Sequence, residues 1–210
     1  MKLYEFGVAR SVRCHWVLAE AGIEYELIKV DLTRGEQKSE DFLKINPYGK
    51  LPVFVDADEV ITESAAICNY IAEKTPEKNL IPLQATISRA HYFQWIFFCM
   101  AELDPQLWQI RKHMALYPKA IRSYASVKIA KREYDKAVRV LADYLSDKEH
   151  ILGNTFTAAD IIICYNLLWA NSIKLLEDYP TLSKYVDRLK QRPAFPAEKF
   201  KNSELDVKFN

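Results

Sequence analysis

Asn46-Pro47-Tyr48-Gly49-Lys50-Leu51-Pro52-Val53-Phe54, followed a short turn later by Thr62-Glu63-Ser64-Ala65-Ala66-Ile67, is the stretch that decides how this 210-residue chain is read. Proline has no N–H and a fixed φ, so Pro52 opens a strand but does not sit inside a sheet. Val53 is then expected to offer unpaired backbone groups to an extended ligand, as a sheet edge accepts an added strand. Glu63 and Ser64 lead into Ala65, Ala66, Ile67, Tyr70 and Ile71, a run with helical spacing. The free N–H groups and positive dipole end of a helix start favour a carboxylate, to which the Ser64 hydroxyl donates, while Glu63 takes an ammonium group. A small peptide carrying both an α-amino and an α-carboxylate group fits this pair.

Outward from that block, Leu3 to Phe6 reads as a strand, Ser11 to Ala21 as a helix stopped by Gly22, and Tyr25 to Val30 as a second strand. A short helix over Asp41 to Ile45 precedes the strand after Pro52. A turn at Asp56-Ala57-Asp58, a strand at Val60-Ile61 and a helix from Glu63 to about Lys74 follow. The order βαβ, then α, then ββα, resembles the thioredoxin fold, an α/β arrangement. Prolines and polar residues over Thr75 to Gln84 break the pattern. Beyond them the periodicity predicts helices over Ser88 to Leu103, Lys119 to Leu145, Thr157 to Ala170 and Leu182 to Gln191, the third apolar nearly all round and therefore a core helix. The expected division is an α/β domain over 1–76, a linker over 77–86 and an all-helical domain over 87–210.

Half the residues are hydrophobic, enough for one or two substantial cores without disulfides. Net charge is +1 with acids and bases mixed along the chain, which leaves no footprint for nucleic acid or an anionic membrane. The expected partners are small molecules or protein. Met1 to Phe6 lacks a signal peptide's apolar core, and no apolar stretch reaches spanning length, so a soluble cytoplasmic protein is expected. Cys14, Cys68, Cys99 and Cys164 have neither CxxC nor metal-ligand spacing, and the last three read as buried small hydrophobes.

The Asn-Pro-x-Gly-Lys-Leu-Pro-Val block at 46–53 and the Glu63-Ser64 pair resemble the glutathione-site elements of the glutathione transferase superfamily, and the resemblance extends along nearly the whole chain. Gly153 to Ile161 also resembles that family's capping segment, in which Thr157 and Asp160 satisfy orphan N–H groups at a buried helix start and take no part in chemistry. The resemblance implies glutathione as co-substrate without a metal, a cis bond before Pro52, Lys50 near the glycyl carboxylate, and a symmetric homodimer. It also implies detoxification chemistry, in which the glutathione thiolate attacks a small apolar electrophile held on the helical-domain side. Aromatic residues are dense there, and Trp108, Phe98 and Tyr117 are the chosen candidates, although a stripe of this kind is more often packing. His113 reads equally well as a packed histidine.

In the family the thiol-activating group stands after the first strand, near the start of the first helix. Gly7 to Trp16 contains one hydroxyl there, Ser11, which also reads as a helix cap. Arg10 and Arg13 flank it, and a hydroxyl donor, a helix N-terminus and guanidinium groups all favour a thiolate. The match departs from the family at this point. Aligned on Arg13, Ala9 stands where some classes have serine; aligned on His15, Arg10 stands where a bacterial class has cysteine. Tyr4 is a second hydroxyl, but lies within a strand. Cys14 lies inside the helix and reads first as a buried thiol, although an exposed Cys14 beside Arg13 would be reactive. Two alternatives to a transferase therefore stay open: glutathione-dependent thiol or disulfide reduction through an exposed Cys14, and a non-catalytic protein-interaction module on the same fold.

Overall fold

Leu3 and Glu5 turn inward from strand β1 (Lys2–Glu5) while Tyr4 turns to the other face, the alternation that period two demands. The computed structural model describes residues 1–7 and 9–201. They divide into two units, Met1–Ile81 together with 193–201, and Pro82–Arg192. The division falls inside the segment expected as linker, but the last described residues group with the first unit, whereas the sequence assigned them to the helical domain.

The first unit continues with α1 (Ser11–Ala21), β2 (Glu26–Lys29), α2 (Glu40–Ile45), β3 (Val53–Asp56), β4 (Glu59–Thr62) and α3 (Ser64–Lys74). The sheet order is β2-β1-β3-β4, with β1 and β2 parallel and the other pairs antiparallel. Helix α1 ends as expected at Gly22, whose φ of 69° suits a residue without Cβ. It packs on α3, and Val12, Cys14 and Val17 of α1 and Ile67, Cys68 and Ile71 of α3 are all fully buried. On the opposite face Tyr4 meets Phe42 of α2 edge to face at 6.1 Å. Ser39 caps α2 by accepting from the Phe42 N–H at 3.2 Å.

A C-terminal segment completes this unit. Phe195 lies edge-on to Trp16 with ring centres 5.0 Å apart, and Phe200 stacks on Phe195 at 5.4 Å. From α9 (Ala197–Lys201), the Lys199 ammonium meets both carboxylate oxygens of Glu5, at 2.9 and 2.8 Å. Glu5 also accepts from His15 Nε2 at 2.9 Å, and the other ring nitrogen of His15 pairs with the Tyr25 hydroxyl at 2.6 Å. Burial alone pushes the Glu5 carboxyl up, but hydrogen bonds from His15 and Lys199 and their charges outweigh it and hold it below its ordinary value.

The second unit consists of α4 (Ile87–Phe98), α5 (Asp104–Arg111), α6 (Tyr124–Tyr144), α7 (Ala158–Ser172) and α8 (Pro180–Lys190). Helix α4 runs into α5 through a π-helical turn at Cys99–Leu103, and a second such turn, Lys112–Leu116, ends the rod at Tyr117. Helix α6 starts later than the expected Lys119, because residues after Pro118 form only a 3₁₀ turn. Ser123 then caps α6 by accepting from the Ser126 N–H at 3.2 Å. Helix α7 is enclosed nearly throughout, and burying each of Ile161, Ile162 and Ile163 stabilises the unit by roughly 1.5–3 kcal/mol. Asp160, fully buried, accepts from the N–H groups of Thr157 and Ile151 and from the Tyr185 hydroxyl, each at 2.8 Å. Among the described residues no helix is long and apolar enough to cross a membrane.

Candidate functional site

The loop before β3 is held by one side chain. Asn46, buried, donates from Nδ2 to the Lys50 carbonyl at 2.8 Å and accepts the Tyr48 N–H at 3.1 Å, while the Gly49 N–H reaches its carbonyl at 2.9 Å. Gly49 has φ 62°, and a Cβ there would stand 3.0 Å from the Gln37 carbonyl, so this turn requires glycine. Lys50 is exposed and places its ammonium 4.0 Å from the centre of the exposed Tyr48 ring. The Leu51–Pro52 bond is cis, as the resemblance implies.

Topology brings three parts of the expected site to one end of the sheet. Val53 pairs with Thr62, so the chain entering β3 through Pro52 runs beside Glu63 as it leaves β4. Val53 also pairs with Tyr4 of an antiparallel β1, so β1 exits at that same end towards Ser11. This double pairing corrects the reading of Val53. Flanked by strands on both sides and fully buried, it has no open edge to offer a ligand. Leu51 precedes the strand, takes no part in its ladder and is half-buried, which makes it the backbone position at this entrance that an extended peptide would meet. The signal for Leu51 was present in the sequence, since a residue before proline is pushed into an extended conformation.

At the start of α3, Glu63 is exposed with φ 66° and ψ 115°. A non-glycine residue in such a region costs on the order of 1–3 kcal/mol and clusters at ligand sites. Ser64 is 2% exposed and accepts a hydrogen bond at Oγ from Arg13 Nη1, at 3.1 Å. Arg13 is itself fully buried, so it stands behind Ser64 and does not touch a dissolved ligand directly. Arg10 is half-buried at the N-cap position of α1.

Two thiol-site expectations meet the same obstacle. Ser11 opens α1 but is fully buried, and its Oγ has no hydrogen-bond partner among the described residues. It is neither the cap residue nor exposed to the edge where the expected sulfur would lie. Cys14 is also fully buried; burial first, and then the neighbouring Cys68 thiol, push its pKa well up. A protonated, enclosed thiol is a poor nucleophile, which agrees with a buried cysteine inside the helix and goes against the alternative of an exposed reductive Cys14.

In the helical unit, Phe98, Trp108 and Tyr117 are all half-buried, Phe98 edge-on to Trp95 at 5.3 Å and Tyr117 edge-on to His113 at 5.0 Å. They do not converge. Phe98 and Trp108 are roughly 15 Å apart along the α4–α5 rod at 1.5 Å per residue, and Tyr117 lies past its end. His113 Nδ1 accepts the Ser123 N–H at 3.1 Å and its Nε2 lies 2.9 Å from the Gln109 amide nitrogen, which gives the ring a packing role between α5 and the start of α6. Among the described residues no cluster of side chains suits a metal ion.

Residues 1–73 match the glutathione S-transferase N-terminal domain and residues 91–193 the glutathione S-transferase C-terminal domain. The chain is 33% identical to Glutathione S-transferase Z1 of Arabidopsis thaliana over 210 aligned positions, covering 93% of this chain and 89% of that one. It is also 33% identical to the disulfide-bond oxidoreductase YfcG of Escherichia coli strain K12, over 186 positions and 84% of each chain. A sphingomonad glutathione S-transferase solved in complex with glutathione superposes with a TM-score of 0.83 at 30% identity, covering 95% of this chain and 98% of that one. With both domains matched in order on a four-stranded mixed sheet followed by a helical unit, the chain belongs to the glutathione S-transferase family.

Proposed function

We propose that the protein conjugates glutathione to small apolar electrophiles. The observation that carries the proposal is the start of α3, where an exposed, strained Glu63 and a Ser64 backed by Arg13 stand beside the entrance to β3. In this reading Glu63 takes the α-ammonium, Ser64 and the first N–H groups of α3 take the α-carboxylate, Leu51 offers backbone groups to the cysteinyl residue, and Lys50 meets the glycyl carboxylate. The thiolate lies towards the start of α1, where the positive end of the helix and the charge of Arg10 favour the anion. Ser11 contributes only if the residues before it shift to open its hydroxyl. A panel of alkyl and aryl electrophiles assayed with glutathione tests the proposal, and no turnover above the uncatalysed rate with any of them would leave a binding module as the better reading.

Resemblance to YfcG supports a second reading, in which bound glutathione reduces a disulfide. With Cys14 enclosed, the reaction would run on glutathione thiols alone: one thiolate attacks the disulfide, and a second glutathione resolves the mixed disulfide to give oxidised glutathione and two substrate thiols. Assaying a small disulfide beside the electrophile panel separates the two. We further propose a cytoplasmic, symmetric homodimer, for which Ile87 and Phe97, 73% and 65% exposed on α4, supply apolar surface.

A further inference from the structure

We infer that Arg13 is a positioning residue for the ligand's α-carboxylate, acting through the Ser64 hydroxyl; the inference rests on the glutathione reading above. Arg13 is 0% exposed, on the first turn and a half of α1, and its Nη1 donates to Ser64 Oγ at 3.1 Å across 51 residues of sequence. A guanidinium is a donor only and stays protonated at any ordinary pH. A serine hydroxyl has one proton and two lone pairs. With one lone pair engaged by Arg13, Ser64 keeps its proton and a second lone pair; the fixed cation behind the oxygen repels an ammonium group from that lone pair, so the hydroxyl suits an acceptor such as a carboxylate. The pair thereby sets which end of an amino acid lies over the helix start and which lies over Glu63. The cation behind the hydroxyl also polarises its O–H bond and adds to the positive field of the α3 N-terminus. Without that donor, a serine at a helix start has local backbone partners towards which it can rotate.

A comparison of glutathione with 4-aminobutyryl-cysteinyl-glycine, the same peptide lacking only the α-carboxylate, tests the inference. Calorimetry on the wild type, Arg13→Met, Ser64→Ala and the double variant gives the preference for glutathione over the analogue in each. Arg13→Met is expected to shrink that preference about tenfold, and Arg13→Lys to retain most of it, since charge-assisted hydrogen bonds are worth about this much. The double variant should match Ser64→Ala alone, because two residues acting through one hydroxyl are not additive. Equal weakening of both peptides in Arg13→Met would make Arg13 a merely structural residue and overturn the inference. A double variant with a smaller preference than Ser64→Ala would overturn it too, by showing a separate route to the carboxylate. Should Arg13→Met fail to fold, Arg13→Leu removes both the charge and the donor with a different apolar shape, and an unchanged preference there would be equally fatal. A wild type that binds neither peptide overturns the glutathione reading itself, an outcome distinct from all of these.

Discussion

Glu63 holds backbone strain at the point where the proposal needs a carboxylate, and two substitutions separate these roles. Glu63→Ala is expected to weaken glutathione binding more than tenfold, since the ligand ammonium would be left unpaired at a helix start that repels cations. Glu63→Gly should weaken binding as much and yet stabilise the fold, by about 1 kcal/mol, because glycine adopts φ 66° without penalty. Calorimetry and thermal melts of both variants check this, and a Glu63→Gly protein that binds as the wild type does would remove Glu63 from the site. Cys14→Ala is expected to leave conjugation nearly intact. In the wild type, Cys14 should resist a thiol reagent at neutral pH until the protein is unfolded, as mass spectrometry of labelled peptides would report. At this scale Glu63, Ser64, Thr157 and Asp160 were legible in the sequence, because helix starts announce themselves by local residue type. The burial of Cys14 was legible too, from its place inside an apolar helix, whereas the enclosure of Ser11 was not, since a hydroxyl at a helix start reads the same in sequence whether or not other elements cover it.

The loop before β3 and the C-terminal segment are the elements whose function hangs on few contacts. Asn46→Ala would leave the Lys50 carbonyl and the Tyr48 N–H without their partner, at a cost of about 1–3 kcal/mol, and is expected to raise the KM for glutathione more than it lowers kcat. A KM unchanged within twofold would show that this loop does not shape the site. Where the C-terminal segment meets β1, burial is outweighed by the hydrogen bonds from His15 and Lys199, which hold the folded Glu5 carboxyl below its ordinary value of 4.5. Its pairing therefore contributes stability that is complete above that pH and is lost as pH falls through the lower folded value. Urea denaturation at pH 6 and at pH 3.5 should show the wild type losing more stability than Glu5→Gln over the interval, and equal losses would count against the pairing. Strand and helix identities in the first unit were readable from their periods, within a residue or two at the ends. The π-helical turns at Cys99–Leu103 and Lys112–Leu116 were not, because they leave the apolar spacing almost unaltered. Edge exposure of Val53 was misjudged for a related reason: a proline-led strand looks the same in sequence whether or not a neighbour pairs with it.

Across the whole molecule, light scattering at micromolar concentration is expected to give twice the chain mass, and a monomer mass would count against the proposed homodimer. The two-domain division was visible in the sequence as a change from mixed to helical periodicity around Pro76 to Pro82. The return of 193–201 to the first unit was not, because a five-residue helix behind Pro193 and Pro196 carries too little pattern to assign. That return has a consequence for biosynthesis. A ribosome releases the chain from its N-terminus, so Glu5 and Trp16 emerge long before Lys199 and Phe195 exist. Until residues 195–199 leave the exit tunnel, the nascent first unit carries a carboxylate awaiting its lysine and an indole awaiting its covering ring. A chain cut short before residue 195 lacks both the covering ring and the lysine, and is expected to expose an incomplete first unit that a protease or chaperone can recognise.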